Sequence, residues 1–456
     1  MNGKLVAILL LALTIGTSWA ADRLSILEYA VPGSSVDRTG QRDASPALAS
    51  VVAAANAKTS KGEPACIYIP PGIYRVVTPP PQLVGAGCVV GDGPSQSVLA
   101  IDPQFKGDLF AWSEAWFPKM PGPTVTGLKI RGSRTATNLQ NALVFYDRND
   151  QVYLENVNIL DLHGRALYSG VTKTVTQAYM RESHMRSLRF FGDGAPGVPV
   201  IEFNSQGTGD TDATNEIRMS QVDIYGSFGP SFVIRNNGSG AVRNISIDAL
   251  RIEGAQNGTV SADLLTIGDP VMRGNVNNIL LTGLELIDPY TGYAAIRLTA
   301  PQTVAAPYQI TVQGFIGGGM PNGQGLRIDA GRTSVFRFSG IHTRGTNVVI
   351  GPGVSEVVLD GGGQEIHWTY KIDPTSLSGL RVPAYRTGDP SHFKNLSQVR
   401  RAKARSSSGD QSRPATVAPA GSNRSSRGGD EAAEAFDVEG RHGRLGELAG
   451  HNVSER

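Results

Sequence analysis

An excess of charge of either sign is missing from this chain. The 42 Lys and Arg nearly balance 40 Asp and Glu, leaving +2 over 456 residues. With no basic stripe ahead of the C-terminal tail, that balance argues against a nucleic-acid partner. Long apolar runs are missing too: beyond the N-terminus no segment is apolar enough to span a bilayer. Cysteine is limited to Cys66 and Cys88, aromatics to 7%, and charged residues to 18%. Glycine is abundant, with 55 residues, and this composition suits a turn-rich β protein more than a helical one. A chain of this length can bury a large core.

The two ends differ from the middle. Lys4, the apolar run at 5–15 and Ser18-Trp19-Ala20 form the three parts of an export signal cleaved after Ala20. The run is short and no stop-transfer pattern follows, so a membrane anchor is disfavoured. The mature protein is expected to be secreted or periplasmic, with no membrane contact after cleavage. Residues 396–456 are rich in Arg, Ser, Gly, Ala and Glu, with Phe436 their only aromatic. Such a segment buries too little apolar area to offset its ordering entropy and is expected to be disordered. A single domain over 21–395 lies between.

That domain declares itself in residues 66–93. Ile67-Tyr68-Ile69 and Cys88-Val89-Val90 each stop at a Pro/Gly corner, Pro70-Pro71-Gly72 and Gly91-Asp92-Gly93. A third β-rich run at 73–77 lies between them, with no room for a helix. Export permits a Cys66–Cys88 disulfide. Aligning the two runs on their corners, however, sets Cys88 opposite Ile67, one residue out of register and facing the other way. Bridge and buried free thiols both stay open.

Beyond Gly93 the pattern apolar-x-apolar-x-Gly/Asp returns. It reads Leu128-Lys129-Ile130-Arg131-Gly132, Val157-Asn158-Ile159-Leu160-Asp161, Leu188-Arg189-Phe190-Phe191-Gly192 and Val222-Asp223-Ile224-Tyr225-Gly226. Leu250-Arg251-Ile252-Glu253-Gly254 and Leu284-Glu285-Leu286-Ile287-Asp288 follow, with weaker copies at 315–319 and 341–345. Spacing of this order marks a solenoid or a propeller. Each interval holds further short strand-like runs without hairpin pairs, which favours a parallel β-helix. Its open end needs a cap. Residues 45–57 fit that duty, with Ser45 as N-cap, Pro46 at the first helical position, and Leu48, Val51, Val52 and Ala55 on one apolar face.

The order of a Val36-Asp37 loop, an Ala-rich helix, Ile67-Tyr68-Ile69-Pro70-Pro71-Gly72-x-Tyr74, Val84-Gly85 and Gly91-Asp92-Gly93 resembles the start of the pectate-lyase-like, rhamnogalacturonase/epimerase-type proteins. The resemblance spans roughly residues 26–100, and the repeats extend it in kind to about 365. It implies an all-β, single-stranded right-handed parallel β-helix with an N-terminal capping helix, acting on polysaccharide. The chain lacks the Asp-Asp pair of polygalacturonase-type relatives, and His163-Gly164-Arg165 lacks their leading Gly. Those named mechanisms therefore do not carry over.

In the repeat, residues between and after the two inward positions face outward. Stacked copies give one column of Lys129, Asn158, Arg189, Asp223, Arg251, Glu285, Ile316 and His342. A second holds Arg131, Leu160, Phe191, Tyr225, Glu253, Ile287, Gly318 and Arg344. Asp223 and Glu285, two coils apart, stand about 9.6 Å apart at the backbone, and carboxylates roughly 6.5–9.5 Å apart suit an inverting glycosidase. Glu253 is a third candidate acid or base. Arg251 would hold an acid ionised or neutralise a uronate carboxylate, and Arg189 and Tyr225 would contact substrate. The same alternation of charge also suits a plain solvated face. Asp161 and His163, in Asp161-Leu162-His163-Gly164-Arg165, add an acid and a base near a strand end. Asp210-Thr211-Asp212 with Asn215 is a sparse oxygen-ligand loop for Ca²⁺, short of ligands by itself, so no cofactor is required.

The functional expectation is an exported carbohydrate-active enzyme that cleaves or modifies an acidic polysaccharide by lysis or hydrolysis. The alternative is a non-catalytic β-helix that binds or guides an exopolysaccharide. A homotrimer of coils side by side also stays open.

Overall fold

The computed structural model describes residues 22–381, except for 86, 116–121, 172–176, 208–212, 255–259, 272, 291 and, beyond 299, the stretches joining strands other than 351–352. The export signal, the tail, Asp210-Thr211-Asp212 and the repeat copy at 341–345 lie outside the described residues.

The fold is a right-handed parallel β-helix. From residue 124 each coil carries three strand segments that pair in parallel with the coils before and after. A first sheet stacks 153–155, 184–186, 218–220, 246–248 and 280–282. A second stacks the repeat motifs at 157–160, 188–191, 222–225, 250–253 and 284–287. A third stacks Leu167–Gly170, Ile201–Ser205, Phe232–Asn236, Leu265–Gly268 and Ala294–Thr299.

One residue makes the bend between the first and second sheets. Gly127, Asn156, Ser187, Gln221, Ala249 and Gly283 occupy this corner on successive coils, all with φ between 52° and 66°. A left-handed residue turns the chain sharply while strands on both sides keep their pairing. Glycine takes that conformation freely and asparagine tolerates it, whereas Gln221 and Ala249 adopt it at a steric cost.

The core follows the repeat. Val157, Leu188, Val222, Leu250 and Leu284 form one inward stack, and Ile159, Phe190, Ile224, Ile252 and Leu286 another, all at most 2% exposed. Each such side chain contributes about 1.5–3 kcal/mol of hydrophobic stabilisation.

The cap is a helix, α1, at Ser45–Thr59. Leu48, Val51, Val52 and Ala55 are buried as its apolar spacing requires. Its start differs from expectation: Ala44 is the N-cap and no side chain caps the helix. Ser45 is already inside, where its hydroxyl donates to Asp43 at 2.6 Å and accepts from the Val77 and Thr78 N–H groups at 2.8 and 3.0 Å. The serine therefore ties the helix to the coil beneath it.

The corner-based alignment of the first coils also shifts. Cys66 lies directly opposite Cys88, Ile67 opposite Val89 and Ile69 opposite Gly91, and the two cysteines are bridged with Cα atoms 4.5 Å apart. The corners differ in length: Gly72 pairs with Ser97, so three residues take the chain from Ile69 to Gly72 while six run from Gly91 to Ser97. Matching the corners as equals displaces the register by one.

Candidate functional site

The second sheet brings most of the predicted residues onto one outward face. Lys129, Asn158, Arg189, Asp223, Arg251 and Glu285 sit opposite one another in successive coils. Arg131, Leu160, Phe191, Tyr225, Glu253 and Ile287 form the neighbouring column. Both columns change at the next coil. Phe315, not Ile316, faces Glu285, and Gly317, not Gly318, faces Ile287. The coil after Gly283 lacks a counterpart to that corner residue, so the pairing moves by one. His342 and Arg344 lie outside the described residues.

The charges on this face are shared. Arg189 Nε stands 3.5 Å from Asp223 Oδ2. Arg251 reaches two acids, with Nη2 3.1 Å from Glu253 Oε2 and Nε 3.5 Å from Glu285 Oε2. Its guanidinium carbon also lies 4.9 Å from the centre of the Tyr225 ring. The Phe191 ring, on a residue 55% exposed, is 6.4 Å from that of Tyr225. Arginine, aromatic and carboxylate groups thus alternate along a ledge with a backbone pitch of about 4.8 Å.

Tyr225 is the group whose protonation this setting changes. Burial first, and then the negative charges of Asp223, Glu253 and Glu285, raise its phenol above the ordinary value against the pull of Arg251. The phenol stays protonated and can donate. The face therefore holds a proton donor and three candidate proton acceptors.

Asp161 and His163 do not join this constellation; they shape the corner at its edge. Asp161 is left-handed with φ 55°, and its N–H donates to the Phe191 carbonyl at 2.8 Å. His163 accepts from the Gln140 N–H through its backbone carbonyl, and burial and the charge of Arg134 lower its imidazole pKa. Two residues that sequence reasoning missed organise this corner. Arg134 donates to the carbonyls of Gly192, Gly194 and Leu162 at 2.6, 3.2 and 3.3 Å while lying over the Phe228 ring. The Asp193 carboxyl accepts the Leu162 and Phe191 N–H groups at 2.8 and 3.1 Å, and burial raises its pKa well above the carboxylate norm. The turn-like Gly192-Asp193-Gly194 was the only visible signal, and it reads as surface.

Among the described residues no group of three or more His, Cys, Asp or Glu is placed to hold a metal ion.

No family model and no curated protein matches this chain. Solved structures align with it at low identity. The A-module of the Azotobacter vinelandii mannuronan C-5 epimerase AlgE6 is 13% identical, covering 79% of this chain and 96% of its own, with a TM-score of 0.41. The tailspike of E. coli bacteriophage HK620, in complex with a pentasaccharide, is 11% identical over 79% of this chain and 66% of its own, with a TM-score of 0.42. ORF18 of Geobacillus virus E2 is 10% identical over 76% of this chain and 66% of its own, with a TM-score of 0.44. The β-helix is established by this chain's own strand register, independently of these likenesses.

Proposed function

We propose that the protein is an exported carbohydrate-active enzyme that binds an acidic polysaccharide along the outer face of the second sheet and cleaves it by β-elimination. The observation that carries the reading is Tyr225, a phenol kept protonated among three carboxylates and stacked on Arg251. Phe191 and Tyr225 offer ring faces to sugar, while Lys129, Arg131 and Arg189 offer cations to uronate groups. Asp223 takes the proton from the carbon bearing the uronate carboxylate. Its electron pair forms the C=C bond, the bond to the glycosidic oxygen breaks, and Tyr225 protonates that oxygen. Arg189 or Arg251 neutralises the charge that develops on the carboxylate. The Cys66–Cys88 bridge supports the exported, oxidising location that the N-terminal signal implies.

A panel of uronate polymers, followed by the ultraviolet absorbance of the unsaturated product, tests the reading. Tyr225→Phe and Asp223→Asn are each expected to lower turnover about 10²–10⁴-fold. Unchanged turnover in both sinks the assignment of the site.

The second reading is binding without cleavage. It is favoured by the arginine already facing each acid, Arg189 for Asp223 and Arg251 for Glu253 and Glu285. Polymer retained on the protein with no product released from any substrate selects it.

A further inference from the structure

The first sheet carries a separate feature. An open groove of about 380 Å³ runs across three coils and is lined by Gln151, Tyr153, Glu182, His184, Glu216 and Arg218. Tyr153, His184 and Arg218 are direct neighbours in register. Gln151, Glu182 and Glu216 form the adjacent column, at the corner that leads into this sheet, with φ of 56°, 49° and 56°. None of these residues belongs to the second-sheet face.

The corner column shows what the groove displaces. Its later members are Asn244 and Asn278, also left-handed, with φ of 55° and 51°. Asn278 Nδ2 donates to Asn244 Oδ1 at 2.6 Å, extending the coil's hydrogen bonding into the side chains. That ladder turns aside at the groove: Asn244 Nδ2 donates to Asn215 Oδ1 at 2.8 Å, not to the neighbouring Glu216. Glutamate is a poor left-handed residue, and like charges on adjacent strands repel. The two rules are broken together only at Glu182 and Glu216 in this column among the described residues. Such a conflict marks a site where something other than stability is served.

The groups themselves specify a ligand. Among the described residues the His184 imidazole and the Arg218 guanidinium have no hydrogen-bond or ion-pair partner. Among the described residues the Glu182 carboxylate accepts only from Gln151 Nε2, at 3.2 Å, and the Glu216 carboxylate only from Asn215 Nδ2, at 3.4 Å. Two carboxylates, each with two acceptor oxygens, suit paired hydroxyl donors, while arginine, imidazole and amide donate back. Two acids against one arginine disfavour a uronate in this groove.

We infer that this groove is a second saccharide site, one that holds an uncharged sugar unit through its hydroxyls with Tyr153 alongside. The test is a glycan array of uncharged, amino and uronate oligosaccharides applied to the full chain, then calorimetric titration of the best uncharged oligosaccharide. Glu182→Asn with Glu216→Asn is expected to weaken binding at least tenfold without lowering the melting temperature, because asparagine suits the corner and can join the ladder. Arg218→Met is expected to weaken binding by an independent route. An array with no uncharged sugar bound, or affinity retained in both variants, overturns the proposal. Failure here leaves the second-sheet reading untouched, since the two share no residue.

Discussion

The same three kinds of residue meet on two faces of this coil, at different depths. On the third sheet Arg165 lies 4.7 Å from the centre of the Tyr168 ring and binds Glu202 Oε2 at 2.7 Å. Arg235 closes the other side, with Nε 3.5 Å from Glu202 Oε1 and Nη1 3.4 Å from Asp269. The Glu202 side chain is 3% exposed. On the second sheet Arg251, Tyr225 and Glu253 repeat the arrangement, but there the carboxylates are open, Glu253 24% and Glu285 44% exposed, while the arginines differ less, 37% for Arg251 against 26% and 29% for Arg165 and Arg235. A carboxylate buried between two arginines has its partners fixed inside the protein. An open one can exchange them for those of a ligand. Depth, not residue type, separates structural ladder from binding ledge.

Breaking the buried cluster has the largest consequence. Glu202→Gln leaves Arg165 and Arg235 without the charge they enclose and is expected to cost about 3–5 kcal/mol, read as a lower urea midpoint. The matching change on the open face is Arg251→Met. Exposed pairs contribute little, so stability is expected to fall by less than about 1 kcal/mol. Affinity for a uronate polymer should fall by at least about tenfold, since one cation serves two acids and an aromatic ring. If both variants lose similar stability, the contrast in depth is wrong.

A smaller test isolates the stacking platform. Phe191→Ala removes an exposed ring, so stability should stay within about 0.5 kcal/mol. Loss of sugar stacking, worth about 1 kcal/mol, should weaken polymer binding roughly fivefold by titration. Unchanged affinity would move the sugar path off Phe191.

The sequence made one of these faces legible and hid the other. The second sheet was readable because its motif carries its own register: two buried apolar positions fix which residues point out, and Arg189, Asp223, Tyr225, Arg251, Glu253 and Glu285 fall into place. The columns slip only after Gly283, where a corner residue is skipped. Glu202 and Arg235 lie in strands of the third sheet, and Arg165 just before one. No motif aligned them, and their burial depends on neighbours far away in sequence. The first-sheet groove was hidden for a related reason. The strand-like runs between the motifs were visible, but the left-handed corners that bring Glu182 beside Glu216 are backbone facts without a sequence signature. Asp161 and His163 stand apart from the two columns: chemistry-bearing residue types at a turn suggested function, and the same turn is held together by Arg134 and Asp193.

The subtlest effect concerns protonation on the open face. β-Elimination there requires the Tyr225 phenol to keep its proton. Burial and the nearby acids raise its pKa above the ordinary tyrosine value of about 10. The alkaline limb of turnover should therefore lie above that value, because activity is lost only as pH rises through the raised pKa. Glu253→Gln removes one of the negative charges that oppose phenolate formation, while Arg251 continues to favour it. The limb should then move to lower pH. A pH–rate profile of the two proteins on the same polymer reads the difference. A limb that stays in place shows that the acid in the reaction is not the phenol beside Glu253, and with it the parallel between Tyr225 and its half-buried counterpart Tyr168 would lose its catalytic half.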